Sequence, residues 1–235
     1  MVTRTNSAGR VRLAAALVGA LVFGAGAKTE GSDLSVTLSP QSGEGLIKYA
    51  GGSSALDGEK IGVDSVTGLN TPNNGPSTKL PVVHGSLSFN TGAFLGGDAS
   101  GTQWDFAGGG HVTVEGTIPS LGINTEKVLL TGAFSDPSFV KSLNNGGGLK
   151  VQGGAFFSVV DPTLAAYFGL PTGGVLYSGG LSTLFKAEGT SPNAFSSNGF
   201  TGGTLTVSPV PEPGMLVVFG SLAVGGAAWV RRRRA

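Results

Sequence analysis

The chain has 235 residues, no cysteine and a formal charge of +1, and only 12% of its residues are charged. The lack of cysteine excludes disulfides, cysteine-ligated metals and thiol nucleophiles. Residues 28–209 carry eight lysines, no arginine and 13 acids, a net charge of −5, so this part of the chain lacks the basic patch that a nucleic-acid partner requires.

The first 27 residues have the parts of a secretory signal peptide. Three arginines form a basic start, and residues 13–26 are uncharged and mostly apolar. Ala25 and Ala27 then fit the small-x-small pattern of signal peptidase, which predicts cleavage before Lys28. An uncleaved anchor is the alternative, but the apolar run is shorter than the roughly 20 residues of a membrane span.

Residues 28–207 alternate between apolar and polar side chains in many short runs, as half-buried β-strands do. Clear examples lie at 34–38 and 112–118, and the runs predict ten or eleven strands. Glycine accounts for 42 residues, far above the usual share of about 7%, and 13 phenylalanines supply core material. We therefore expect an all-β domain, a glycine-rich antiparallel β-sandwich or flattened barrel. A β-helix is the alternative.

One short helix is expected inside this domain, near residues 161–168. Asp161 is a good N-cap, Pro162 suits the first helical position, and Gly169 would end the helix. Asx-Gly pairs, which favour the positive φ of tight turns, predict hairpins elsewhere. These pairs are Asp57-Gly58, Asn74-Gly75, Asn145-Gly146 and Asn198-Gly199.

Two runs also predict which side chains share a face. The even-numbered residues of 128–134 should point to one side of a strand. The longer run, 149–159, predicts that Phe157 and Val159 share the face of Leu149 and Val151.

Beyond residue 207, the chain shows three features in order. Residues 208–213 form a linker with a Pro-Glu-Pro motif, and residues 214–230 are uncharged and predominantly apolar. As a helix the apolar segment would cover about 25 Å, at the short end of the membrane-spanning range. The basic stop at 231–235 should stay on the cytoplasmic side. The motif residues are Val210, Pro211, Glu212 and Pro213, and the stop residues are Arg231, Arg232, Arg233 and Arg234.

This order of features resembles the PEP-CTERM sorting signal of Gram-negative bacteria. The resemblance covers residues 210–234 alone and implies that an exosortase, an intramembrane sorting enzyme, recognises Pro211, Glu212 and Pro213. It implies export, an inner-membrane intermediate, and a final place at the cell surface or outside the cell. For the β domain itself we expect a structural role there, associated with exopolysaccharide or biofilm. An unprocessed tail anchor is the alternative.

The sequence predicts no catalytic residue, metal site or cofactor. Its two histidines, His84 and His111, lie in no recognisable triad pattern, and no Gly-x-Ser-x-Gly elbow is present. Asp105 and Glu115 are candidate carboxylates for glycoside hydrolysis, as any acidic pair would be. We expect a protein that is not an enzyme, with a secreted hydrolase as one alternative.

A polysaccharide-binding module is another alternative. Trp104, flanked by a glutamine and an aspartate, is a tentative glycan contact, although a core role explains the same residue. Ice binding is a further alternative, for which Thr201, Thr204 and Thr206 are the nearest approach to a regular array.

Overall fold

A computed structural model of the chain describes residues 32–39, 45–143, 148–188 and 193–210. Within these ranges the chain forms twelve strands, one short α-helix and one 3-10 turn. No helix in the described ranges is long and apolar enough to cross a membrane. The strands are β1 (Asp33–Leu38), β2 (Leu46–Tyr49), β3 (Ala55–Leu69), β4 (Lys79–Gly97), β5 (Gln103–Phe106), β6 (Gly109–Ile118), β7 (Ile123–Phe134), β8 (Ser138–Leu143), β9 (Gly148–Gln152), β10 (Phe156–Val160), β11 (Tyr177–Glu188) and β12 (Phe195–Pro209). The helix, α1, is Pro162–Tyr167, and the 3-10 turn is Pro119–Leu121.

The twelve strands form one antiparallel sheet that closes on itself. Strands β3, β4, β11 and β12 are long, and the shorter ones follow one another along them: β1 and then β2, for example, pair with successive parts of β3. The order around the sheet is β1/β2, β3, β4, β6/β5, β7/β8, β10/β9, β11 and β12, and β12 pairs again with β1. The expected all-β fold is confirmed. Every described pairing is antiparallel, so the β-helix alternative is wrong.

The closed sheet has two ends. We call one the exit end, because β1 begins there and β12 finishes there; it also holds the connections at 70–78, 119–122 and 161–176. We call the other the far end; it holds the connections at 50–54 and 98–102.

Aromatic rings bring opposite walls of the sheet together in the core, as the two layers of a sandwich do. Near the far end, the ring centroid of Tyr49 lies 5.4 Å from that of Phe106 and 5.4 Å from that of Phe94. Farther toward the exit end, Phe134 lies 5.7 Å from Phe156 in an edge-on arrangement, and this pair joins neighbouring strands, β7 and β10, in register. These rings are almost fully buried except Phe94, which is partly buried.

Part of the high glycine content is explained by glycines that face aromatic rings. At four of them, an added Cβ would lie only 2.1 to 2.9 Å from a phenylalanine ring atom. Each glycine therefore leaves the space that one ring fills, which keeps a core of large side chains close-packed. The pairs are Gly58 with Phe89, Gly68 with Phe168, Gly153 with Phe134, and Gly179 with Phe156.

Two of the predicted hairpin turns are wrong. Asp57-Gly58 lies inside β3, where the glycine accommodates Phe89. Asn198-Gly199 lies inside β12, where Asn198 is the extra residue of a β-bulge against β11. Asn74-Gly75 does lie in the β3–β4 connection, with Asn74 at φ 50°. Asn145-Gly146 lies outside the described residues.

The predicted shared faces are wrong in part, because the chain changes register twice. The run 149–159 is divided into β9 and β10, and Phe157 and Val159 point outward, 47% and 45% exposed. The break is held by Gly154, whose N–H donates to Ser138 Oγ at 2.9 Å. A bulge in β7 likewise leaves Val128 exposed, away from the buried even-numbered side chains that follow it.

Candidate functional site

The last residue of the described domain is held in place by its neighbours. The N–H of Val210 donates to the carbonyl oxygen of Leu176 at 2.9 Å, which extends the β11–β12 ladder by one step. Two residues earlier, the hydroxyl of Ser208 donates to Asp33 Oδ1 at 2.5 Å, at the start of β1. The chain therefore leaves the sheet from a fixed point, directly beside the place where the sheet begins.

Val210 is the one predicted sorting residue that the structure describes. The other residues of the motif and the basic stop lie outside the described ranges, as do Ala25, Ala27 and Lys28 at the predicted signal cleavage site. The structure does show where the segments that carry these residues join the domain. The segments before β1 and after β12 both adjoin the exit end.

Helix α1 closes the exit end. The Asp161 carboxylate caps it, accepting hydrogen bonds from the N–H groups of Thr163 and Leu164 at 2.9 and 3.1 Å. Leu164 is buried, and Phe168, which follows the helix, is buried completely. The Phe168 carbonyl accepts from the N–H of Asn73, which ties the helix to the β3–β4 connection.

Asp161 also forms the most shielded ion pair of the described residues. Its side chain is only 4% exposed, and Lys127 Nζ lies 2.5 Å from Oδ2. Burial by itself raises the pKa of this carboxyl. The hydrogen bond and charge of Lys127, together with the N–H groups of Leu164 and Thr163, outweigh that effect and hold the pKa of Asp161 below its usual value.

Three exposed apolar side chains form a patch on the outer wall beside this end. Phe157 and Val159 point outward from β10, and Leu176, 52% exposed, directly precedes β11. Ser158 of β10 pairs with Tyr177 of β11. Continuing this register by one residue places Val159 beside Leu176. We call Phe157, Val159 and Leu176 the exit patch, because Leu176 is the residue that binds Val210.

A different wall carries rows of hydroxyl groups. Thr206 lies opposite Ser35, and Thr204 lies opposite Thr37. Neighbouring strands are about 4.8 Å apart, so these side chains form close-spaced rows across β3, β1, β12 and β11. We call them the hydroxyl rows: Thr67, Ser35 and Thr206 in one, and Thr37, Thr204 and Ser182 in the other.

The sequence analysis found two threonines of these rows and missed the other members. Ser35 and Thr206 are 171 positions apart in the numbering, so nothing local in the sequence shows that they are neighbours. The alternation of hydroxyl and apolar residues in β1 was the available signal. This alternation identified the outward face of β1, but it could not identify the strands that pair with β1.

Trp104, the tentative glycan contact, belongs to the core instead. Its side chain is 3% exposed, on the inward face of β5 opposite Val140. The ring therefore offers no free face for stacking on a sugar. The tyrosines Tyr49 and Tyr177 are buried as well, and Tyr167 is partly buried.

The candidate carboxylates for hydrolysis lie far apart. Asp105 pairs in register with Gly96, and Glu115 pairs with Ser86, ten residues farther along β4. At about 3.3 Å per residue this is a separation of roughly 30 Å, whereas a glycosidase pair needs about 5–10 Å. No group of three or more acidic or histidine side chains in the described ranges is arranged to hold a metal ion.

Asp98, at the far end, is bound entirely by its own loop. Its carboxylate accepts from the Ser100 hydroxyl, from the N–H of Gln103 at 2.9 Å, and from both the hydroxyl and the N–H of Thr102. These donors, the Ser100 hydroxyl first, hold the pKa of Asp98 well below its usual range. The Asp98 carboxylate therefore stabilises the tight connection between β4 and β5.

Comparison with known proteins assigns no role to these features. No protein-family model matches it, and no curated protein and no solved structure matches it either.

Proposed function

We propose that this protein is an exported surface or matrix protein that is delivered through its C-terminal tail. Signal peptidase removes residues 1–27, the segment 214–230 holds the protein in the inner membrane, and an exosortase recognises Pro211, Glu212 and Pro213. The β domain then serves at the cell surface or outside the cell as a non-catalytic part of an exopolysaccharide or biofilm layer.

The observation that carries this proposal is the junction between strand and tail. Val210 is bound to Leu176 as the last step of the β11–β12 ladder. Pro211 and Pro213 follow at once, and proline lacks an N–H with which to continue a ladder. A segment with two prolines has few backbone conformations to lose, so it needs little ordering on binding, which suits the substrate of a processing enzyme.

The carboxylates considered for hydrolysis do not form a catalytic pair. Asp105 and Glu115 are too far apart to act as a pair, and Asp98 is saturated by its own loop. The hydrolase alternative gains no favourable observation from these residues.

Intact mass spectrometry of the protein from native membrane and outer fractions tests the proposal. We expect a mature form that begins at Lys28 and ends near Pro211 to Pro213, with or without an added group. A mass that retains residues 214–235 in the outer fraction would contradict processing and leave an ordinary tail anchor.

Two proline variants sharpen the test. Replacing both motif prolines, Pro211→Ala with Pro213→Ala, should make the unprocessed form accumulate in the membrane fraction. Pro209→Ala is the matched control, since Pro209 belongs to β12 and precedes the motif. Equal processing of both variants would show that the motif is not what the enzyme recognises.

Polysaccharide binding is the second candidate, and the hydroxyl rows are the observation that favours it. The described aromatic side chains give it no stacking platform on this wall, so binding would depend on hydrogen bonds from serine and threonine. The variant Thr37→Val with Thr204→Val should weaken co-sedimentation with exopolysaccharide from the producing cells several-fold.

The matched control is Thr113→Val with Thr131→Val, a cross-strand threonine pair on another wall. If neither variant changes co-sedimentation, or if the wild-type chain does not sediment with the polysaccharide, the hydroxyl rows are only a solvated face.

A further inference from the structure

The exit patch combines exposed apolar side chains with few charges, and Asp161, which follows β10, is ion-paired with Lys127. Phe157, Val159 and Leu176 are each about half exposed. From Pro162 to Phe185 the chain contains no charged residue, and the same holds for β10. Large apolar side chains grouped on one wall of a monomer are a common mark of an interaction surface.

The chain path indicates what lies opposite this patch. Val210 is hydrogen-bonded to Leu176, and the uncharged apolar segment starts at Gly214, four residues later. Four extended residues span at most about 14 Å. Val210, which is bonded to Leu176 of the patch, thus lies within that distance of the point where the tail would enter a bilayer.

The N-terminal side gives the same orientation. β1 starts at Asp33, which accepts a hydrogen bond from Ser208 near the end of β12. Before signal cleavage, the predicted apolar run at 13–26 would therefore be attached to the same end of the sheet. Both candidate membrane segments hold the exit end, and not the far end, toward the lipid.

We propose that the exit patch rests in the interfacial layer of the phospholipid bilayer while the tail is inserted. This inference depends on the membrane-inserted tail of the proposed function. An apolar face of this kind enters the boundary between headgroups and acyl chains, where roughly 5–10 Å of depth is available. The contact fixes the tilt of the domain, and so fixes the height at which Pro211, Glu212 and Pro213 meet the sorting enzyme.

The natural absence of cysteine makes a direct test simple. Single variants Leu176→Cys and Val159→Cys of the full chain are labelled with an environment-sensitive fluorophore and reconstituted into phosphatidylethanolamine–phosphatidylglycerol vesicles. Ser196→Cys, an exposed position at the far end, is the matched control. We expect spin-labelled lipid to quench the Leu176 and Val159 probes several-fold more strongly than the Ser196 probe, and aqueous iodide to show the opposite order.

The outcomes separate this inference from the proposed function. If the chain does not float with the vesicles, the membrane tail itself is contradicted. If it floats but iodide reaches Leu176 and Ser196 equally, the tail stands and the patch contact is overturned. A third outcome is that Leu176 is protected from both quenchers and that this protection changes with the ratio of protein to lipid. That result would also overturn the lipid contact, because it would mean that a second copy of the chain covers the patch.

Discussion

The two ends of the closed sheet are sealed in different ways. At the exit end, α1 lies across the opening and is anchored by polar groups: the Asp161 cap, its ion pair with Lys127, and the bond from Asn73 to Phe168. At the far end, rings fill the interior, with Tyr49 in contact with Phe106 and neighbouring phenylalanines.

The two ends differ in the kind of interaction that stabilises them. Ring packing depends on buried area and shape, which do not change with protonation. The exit end depends on one ionised carboxylate, so its stability is linked to pH. Asp98 at the far end also has a lowered pKa, but its donors all lie within its own loop, so acid should loosen that loop, whereas protonation of Asp161 should loosen the cap of α1 and its ion pair with Lys127.

The largest effect is expected from removing a far-end ring. Phe106→Ala should lower the free energy of unfolding by about 4 kcal/mol, because it deletes a completely buried ring and leaves a cavity. Urea unfolding followed by circular dichroism at pH 7 and at pH 5 measures it. A loss below about 1 kcal/mol would mean that the far end can repack and does not depend on its rings.

Removing the exit-end cap should have the second largest effect. Asp161→Ala should cost about 2 kcal/mol at pH 7, because two helix N–H groups and Lys127 lose their partner. Asp161→Asn is the matched control, since its amide oxygen still caps the helix while the charge is lost. If the two variants lose equal stability, the ion pair and not the cap holds the helix.

The pH dependence of the wild-type chain gives a third way to separate the ends. The pKa of Asp161 is lower in the folded chain, so its contribution is complete above the unfolded pKa of about 3.9. It is lost as the pH falls below about 4, through the folded pKa. The stability difference between the wild type and Asp161→Ala should therefore shrink at pH 3 in urea titrations, whereas the deficit of Phe106→Ala should persist.

Replacing Thr183 should stabilise β11, one of the long strands of the sheet. Thr183 lies in β11, fully buried, and its hydroxyl is the one buried side-chain polar atom in the described ranges without a hydrogen-bond partner. Thr183→Val keeps the shape and removes that cost, so we expect a gain of up to about 1 kcal/mol. A destabilised variant in thermal unfolding would mean that the hydroxyl has a partner.

Effects of similar size are expected at two tyrosines that form a matched pair. Tyr49 OH donates to the Gly52 carbonyl at the far end, and Tyr177 OH donates to the Pro171 carbonyl at the exit end. Each Tyr→Phe change should cost about 1 kcal/mol, the usual net value of one hydrogen bond. We expect equal losses of unfolding free energy. A much larger loss for one variant would show that the connection at that end depends more strongly on its tyrosine hydrogen bond.

Local signals in the sequence predicted the local structure well. Asp161, Pro162 and Gly169 predicted a short helix within residues 161–168, and the structure has it at Pro162–Tyr167. The cap, the first-turn proline and the terminating glycine each act within a few residues, so no knowledge of the fold was needed. The alternating runs likewise predicted the all-β domain.

Prediction failed where a distant partner decides the outcome. Gly58 reads as a turn residue, but it serves to admit the ring of Phe89 from the next strand. Trp104 has polar neighbours that allow a glycan contact and a strand position that allows a core role, and only its pairing with β8 shows that the core role is correct. The exit patch was missed for the same reason, since the break at Gly154 reverses the faces of Phe157 and Val159.

The pairing of β1 with β12 sets an order of events during folding. These strands come from opposite ends of the domain, and contacts between distant segments form slowly because a long loop must first be closed. A chain that crosses a membrane from its N-terminus delivers β12 last, just ahead of the apolar tail. If the chain is exported as proposed, the sheet can close only when nearly all of the chain has been translocated, and closure would then report that export is complete.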